Sequence, residues 1–481
     1  MSLHNLEPKQ PMKFFLELSA IPRGSGNEKA ASDYVAAFAK GKGLEVHQDE
    51  EYNVIVKKPG TSGYENAPRV IIQGHLDMVC EKNTGTEHDF VKDGIKVIHD
   101  GGFLRADGTT LGADNGIAVA MGMALLEADD IPHPPLTVIM TTNEEVGLKG
   151  AAALSAEHLE GKYMINLDSG DDGVFTAGCA GGLRTVVKIP CTREVLPAGY
   201  SALKIDIKGL LGGHSGGHIS KERGNANKLM GRVLVNLSHK FDIRVNSVSG
   251  GDKENAIPRE AFAIICVKTS DLDEVKTAVN NFLSDIKKEY IVSDPNIEIL
   301  CEESVVGSCF NITSTKSIIA AINILPNGVQ HREQSLPEFV ETSVSLGVVK
   351  TIGDRVEIYS SIRSSVSSRK YEVSARIREA ASAVGAEFQA GSDYPAWAFR
   401  KDSKIRDICC ETYEEMYGGE AKVRTIHGGL ECGLFLEKAP GLDVVAMAPA
   451  TYDIHSPDER LDIASFARCW ELLKKVLGKL G

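Results

Sequence analysis

Three short apolar runs set the terms for the fold. Arg69–Gln73 (RVIIQ), Leu136–Met140 (LTVIM) and Tyr163–Leu167 (YMINL) are rich in β-branched and other apolar residues and short for helices, which predicts buried strands. Ile117–Glu127 is a long apolar stretch that predicts a helix between the first two runs, and Leu148–His158 predicts a shorter one before the third. Strand, helix, strand, helix, strand is the pattern of an α/β sheet. Each run also ends at chemistry. The first runs into Gly74-His75-Leu76-Asp77, the second into Thr141-Thr142-Asn143-Glu144-Glu145-Val146-Gly147, and the third into Asp168. The carboxyl ends of strands are where open α/β sheets keep their ligand crevices.

The rest of the chain extends this plan and then interrupts it. Residues 11–45 predict helices, chiefly Glu28–Lys42 with Ser25 or Asn27 as its N-cap, and Asp93–Thr110 predicts a turn-rich hairpin. After about residue 184 the style changes to alternating strands and amphipathic helices. The hairpin phrase Val245–Gly251 with Ala261–Ile265 finds an echo in Glu341–Gly347 with Val356–Ser360. Residues 185–390 are therefore expected to hold two ferredoxin-like α+β units in tandem. From Asp393 the α/β style returns, with a helix over Lys404–Tyr417, a strand over Lys422–Ile426 and a closing helix over Ser465–Leu480. The expected fold class is thus α/β: one domain in two segments, 1–184 and 391–481, split by an inserted α+β domain at 185–390.

Bulk properties exclude several functions. A chain of 481 residues exceeds one ordinary core and predicts about two or three domains. The net charge of −13 disfavours nucleic acid and anionic membrane surfaces as partners. The 10 cysteines include no CxxC pair and no compact disulfide framework, which fits a reducing cytoplasm. The N-terminus shows no signal-peptide pattern, and no apolar run is long enough for a membrane span. Neither a dinucleotide-binding nor a P-loop glycine pattern appears, which argues against a nucleotide binder.

Histidines and acids at the strand ends and loops of the α/β portions are His75 with Asp77, Asp114, Glu144 with Glu145, Asp168 and His455. Singly each has a plainer role: Asp114 as a helix N-cap, Asp168 as an Asx-turn, His455 as turn chemistry. Together they form a histidine–carboxylate set of the kind zinc accepts, with carboxylates able to bridge a pair of ions. Neighbouring side chains point different ways, so of Glu144 and Glu145 one can bind a metal while the other faces a substrate.

The strings Gly74-His-Leu-Asp-Met-Val, Leu111-Gly-Ala-Asp-Asn-Gly, Thr142-Asn-Glu-Glu-Val-Gly, Asn166-Leu-Asp-Ser, His427-Gly-Gly-Leu-Glu-Cys-Gly and Ile454-His-Ser-Pro, in this order, resemble the M20 family of metallopeptidases. The likeness is strongest to its aminoacyl-histidine dipeptidase (cytosol non-specific dipeptidase) branch and covers nearly the whole chain. It implies a zinc-peptidase-like α/β/α catalytic domain and a centre of two divalent ions, zinc first, with cobalt or manganese as alternatives. It implies His75, Asp114 and Asp168 on one ion and Asp114, Glu145 and His455 on the other, with a cis bond between Asp114 and Asn115. Glu144 would be the general base on a metal-bridged water, and Asp77 would orient His75 through its other ring nitrogen.

The resemblance further implies that His214 stabilises the oxyanion from the lid, that Asn255 and Arg363 contact the substrate backbone and carboxylate, and that Gly428 and Gly429 offer backbone N–H groups to that carboxylate. A contact from Glu431 to the substrate amino group is an open reading. The implied reaction is hydrolysis of dipeptides, including Xaa-His and β-alanyl-histidine, by a cytoplasmic monomer or homodimer. The apparent doubling of the lid would let His214 serve its own chain. An aminoacylase, deacetylase or aminotripeptidase with the same metals is the near alternative. A catalytically dead binding protein is the distant one, against which every implied ligand and Glu144 are present.

Overall fold

The computed structural model describes residues 3–334 and 336–481. The three apolar runs form neighbouring strands. Val70–His75 lies between Leu136–Thr141 and Tyr163–Asn166 and is parallel to both, and all three are buried throughout. They belong to a sheet of eight strands, in the order Glu45–Gln48, Val54–Lys58, Leu136–Thr141, Val70–His75, Tyr163–Asn166, Asp443–Ala446, Val174–Cys179, Lys422–Ile426. The C-terminal segment thus places Asp443–Ala446 inside the sheet, parallel to Tyr163–Asn166.

The helix Ala113–Glu127 is apolar on every side because it is enclosed, packing against Val70–His75 and the helix Lys9–Ser19. Gly74 is required where this helix crosses the strand: a Cβ there would lie 2.3 Å from the Ala118 Cβ. The predicted hairpin forms from Val97–Asp100 and Phe103–Ala106.

Two local expectations are corrected. The helix Lys29–Gly41 is preceded by Glu28, not by a Ser25 or Asn27 cap. The helix expected over Leu148–His158 is instead a short α-helix, Lys149–Ala153, and a 3-10 turn, Ala156–Leu159, because Leu154 and Ser155 leave helical backbone geometry between them.

The chain separates into two units. One comprises the chain up to Gly178 together with Phe399–Thr425 and Leu430–Gly481; the other comprises Cys179–Ala398 and Ile426–Gly429. These bounds lie outside the expected 184 and 390 because Gly181–Pro190 and Glu387–Tyr394 pair with each other in the second unit's sheet.

That second sheet corrects the expected tandem repeat. Tyr200–Lys208, Arg244–Gly250, Ala261–Lys268 and Glu298–Ser304, with helices Ala226–Ser238 and Leu272–Glu289, make one ferredoxin-like unit. Gly181–Pro190, Val340–Ile352, Arg355–Ser364 and Glu387–Tyr394, with helices Ile312–Ile324 and Ser367–Ala383, make another. The first is nested between the opening strand and first helix of the second. Both hairpin phrases are antiparallel pairs at the joining edges of their units, which meet where Ser249 and Gly250 pair with Lys350 and Val349. One apolar cluster, including Leu203, Ile205, Val245, Val344 and Ile358, runs through both.

Candidate metal and active site

Parallel strands in register bring their carboxyl ends together. His75 stands opposite Thr141, and Gln73 opposite Asn166, so the segments leaving all three strands begin side by side. Glu144, Glu145 and Asp168 follow immediately. Asp114 enters from the start of the buried helix, and His455 from the loop before Arg460–Asp462.

The ligand-bearing atoms converge. His75 Nε2 is 3.2 Å from Asp114 Oδ1 and 3.7 Å from Asp168 Oδ1. His455 Nε2 is 3.2 Å from Asp114 Oδ2 and 3.0 Å from Glu145 Oε1. Among the described residues, three donor sets therefore lie close enough to hold a cation: His75, Asp114 and Asp168; Asp114, Glu145 and His455; and His75, Glu144 and Glu145. Donors on a tetrahedral zinc, each about 2.1 Å from the ion, stand roughly 3.4 Å apart, which these spacings match. Glu145 Oε1 is buried and faces His455 Nε2 at 3.0 Å, as suits an oxygen that would share a cation with that imidazole. The bond between Asp114 and Asn115 is cis, as the resemblance implied.

Electrostatics point the same way. The carboxylates of Asp114, Glu144, Glu145 and Asp168 outnumber the imidazoles of His75 and His455, and cations would redress that excess. Burial first, and the Asp114 charge second, push Asp168 up to about 7. Burial also raises Glu144 well above the usual carboxylate range; Asp168, Glu431 and Glu145 add to the shift and His75 opposes it. Hydrogen bonds to Asp114 and Glu145 raise His455 to about 10. Burial works to raise Asp114 too, but its contacts with His455 and His75 prevail and lower it.

Asp77 does more than face His75, whose Nδ1 lies 3.4 Å from Asp77 Oδ1. It is fully buried, and its carboxylate accepts the backbone N–H of Glu144 at 3.0 Å, that of Glu145 at 3.2 Å and the Ser25 hydroxyl at 2.7 Å. The Glu144–Glu145 turn is therefore moulded on the residue beside His75. Glu28 accepts the next N–H back, from Asn143 at 3.0 Å, and Asn143 takes the left-handed conformation that asparagine tolerates. Asn115 accepts from the His75 N–H at 3.1 Å and donates to the Leu167 carbonyl at 2.7 Å, bridging two strand ends.

Glu431 is fully buried and accepts from Gln73 Nε2 at 2.5 Å and Thr141 Oγ1 at 2.7 Å. It braces the strands from within through Oε2, and its Oε1 is buried without a hydrogen-bond partner. Burial pushes it up to about 7.

The remaining predicted residues gather in the other unit. Gly213–His214 pairs with Ala256–Ile257, and the Ser215 N–H donates to the Asn255 carbonyl at 2.8 Å, so His214 and Asn255 sit on facing segments. His214 Nδ1 accepts the N–H groups of Gly216 and Gly217, both at 3.2 Å, which leaves the proton on Nε2 as a donor. Desolvation, then the nearby Arg363 charge, lower His214 to about 4 and keep it neutral. The Arg363 guanidinium donates to Ser215 Oγ at 3.4 Å and to the Tyr394 hydroxyl at 3.2 Å. Gly429 abuts the Tyr394 ring, 3.0 Å from where its Cβ would stand, and Gly428 precedes it in the same short segment.

His427 was legible only as part of its motif. It bonds Ser343 Oγ at 2.7 Å, and Ser343 is the cross-strand partner of Arg363. Burial first, and the Arg363 charge second, push His427 down to about 3. A histidine lowered in the folded state stabilises the fold above the unfolded value near 6.5 and loses that contribution as pH falls toward 3. The urea midpoint is therefore expected to fall between pH 7.5 and 4.5, and to fall less in a His427→Gln variant; equal declines would overturn this assignment.

Comparison with known proteins gives concordant relatives. The model of peptidase family M20/M25/M40 matches residues 71–479. The cytosol non-specific dipeptidase of Escherichia coli (strain K12) is 38% identical over 479 residues, 99% of each chain. The crystal structure of aminoacylhistidine dipeptidase from Vibrio alginolyticus matches with a TM-score of 0.94 at 37% identity, over 100% of this chain and 98% of that one. Aminopeptidase PepT from Bacillus cereus, at 16% identity and a TM-score of 0.58 over 99% of both chains, shares the fold.

Proposed function

The chain belongs to peptidase family M20/M25/M40, and from that premise we propose that it is a dipeptidase working with two divalent metal ions, zinc foremost, on substrates that include Xaa-His and β-alanyl-histidine. Its close relatives are a cytosol non-specific dipeptidase and an aminoacylhistidine dipeptidase, which supports hydrolysis of dipeptides as the reaction. The observation that carries the two-ion reading is Asp114. Its two carboxylate oxygens face different histidines at the same 3.2 Å, one toward His75 and one toward His455. A carboxylate placed in this way would help to hold both cations, with His75 and Asp168 completing one set and Glu145 and His455 the other.

Two bound cations lower the pKa of a water and polarise a carbonyl. The chain's own groups supply the rest. Glu144, raised by burial, takes a proton from the attacking water and returns it to the departing amine. Asp77 fixes the imidazole of His75 and the turn that aims Glu144. His214, neutral with its proton on Nε2, donates to the charge developing on the carbonyl oxygen. Asn255 contacts the substrate backbone, and Arg363 with the N–H groups of Gly428 and Gly429 binds the terminal carboxylate.

No helix among the described residues is long and apolar enough to cross a membrane, and the Escherichia coli relative carries a cytosolic name; we place this protein in the cytoplasm as well. Hydrolysis of a dipeptide panel that includes β-alanyl-histidine tests the function. Activity is expected to disappear with EDTA and to return with zinc. Preference for N-acetyl amino acids over dipeptides would move the assignment to an acylase.

A further inference from the structure

We propose that Arg23 and Glu459 form a buried, oppositely charged positioning pair that sets the two-ion centre through the backbone of the loops bearing His75 and Asp114. The proposal rests on the reading of those two residues as ligands. Arg23 and Glu459 are each 2% exposed and are separated by nearly the whole chain. Glu459 Oε2 accepts the N–H groups of Leu111 at 2.7 Å and Gly112 at 2.9 Å, and Oε1 accepts that of Asp114 at 3.2 Å. The segment leading into Asp114 is thus wrapped around one carboxylate.

Arg23 holds the other side. Its Nη1 donates to the carbonyls of Leu76 at 2.8 Å and Asp77 at 3.1 Å, directly after His75, and its Nη2 donates to the Gly112 carbonyl. Gly112 therefore gives its N–H to Glu459 and its carbonyl to Arg23. Only glycine fits there: its φ is +71°, and a Cβ would lie 2.5 Å from Arg23 Nη2.

Neither side chain belongs to a donor set, so the pair acts through others. Asp114 must present one oxygen to each histidine, and a small rotation of its backbone would misdirect both. A guanidinium that grips both loops and a carboxylate that grips one fix that rotation. The Glu459 charge, with those of Asp77 and Asp114, also favours the buried Arg23 guanidinium. Partners that orient metal ligands are worth about 10–100-fold in metal affinity.

The test is zinc titration of the metal-stripped full-length protein against a chromophoric chelator, with thermal midpoint and circular dichroism recorded on the same samples. The parent is expected to bind two ions. Glu459→Gln keeps the shape but not the charge, and is expected to weaken binding about 10–100-fold while the stripped protein stays folded. Arg23→Lys keeps the charge but not the fork, and is expected to show a loss in the same direction. With zinc restored to saturation, kcat should recover in both variants.

Unchanged affinity in both variants, with two ions on the parent, would sink the positioning role alone. A parent that binds no zinc would sink it together with the ligand reading. Variants whose stripped forms no longer fold would make the pair purely structural and overturn the proposal as well.

Discussion

Replacing Glu144 with glutamine is expected to lower kcat for dipeptide hydrolysis by about 10³-fold while both metal ions remain bound. The size follows from the task. An amide oxygen holds the place of the carboxylate but neither takes a proton from water nor returns one to the amine. The metal readout matters because His75, Glu144 and Glu145 also lie close enough to form a donor set. If Glu144 were a ligand, Glu144→Gln would lose an ion along with its activity. Metal content after exhaustive dialysis, measured beside single-turnover kinetics, separates the two roles. Full activity in this variant would end the proton-carrier assignment, and loss of an ion would transfer Glu144 to the metal set.

Asp114→Asn is expected to be more damaging still, because one carboxylate serves two donor sets. The variant should lose tight binding of both ions and fall below detectable turnover, whereas Glu145→Gln should weaken only the ion shared with His455. Elemental analysis of the three proteins after the same dialysis checks this. Retention of one tight ion in Asp114→Asn would mean that Asp114 belongs to a single site. The asymmetry between neighbours follows from geometry: Asp114 contacts both His75 and His455, while Glu145 contacts His455.

Most of the candidate ligands were legible because they follow an apolar run or open a helix, while their division between two ions, and the part given to His455 in its turn, came from the family resemblance. The buried strand Val70–His75 ends in histidine, and the register of the parallel sheet aligns that end with those of its neighbours. Apart from the contact of Asp77 with His75 that the resemblance implied, what held these residues in place was not legible. Glu28, Asp77, Arg23 and Glu459 bond mainly to backbone N–H and carbonyl groups of distant segments, and a backbone group has no identity in a sequence.

The sheets divide in the same way. The central hairpins of the inserted unit were visible as an echoed phrase. The strand Gly181–Pro190 escaped notice because its own unit resumes only at Ile312, beyond an entire second unit. Helix interiors followed from periodicity, and Lys404–Tyr417 was expected to the residue, whereas the break at Leu154 and Ser155 leaves no mark on that pattern.

The nesting has a consequence for the order in which the chain can acquire structure as it is synthesised. The strand Val174–Cys179 pairs with Tyr163–Asn166 only through Asp443–Ala446, which emerges far later. Gly181–Pro190 likewise waits for Arg355–Ser364 and Glu387–Tyr394. The stretch from Tyr200 to Ser304 alone meets all four strands of its unit without waiting for a distant one. Acquisition of structure on the ribosome is therefore expected to run from the inside of the chain outward, with the ion-binding groups assembled late because His455, and Glu459 after it, emerge long after the other ligands.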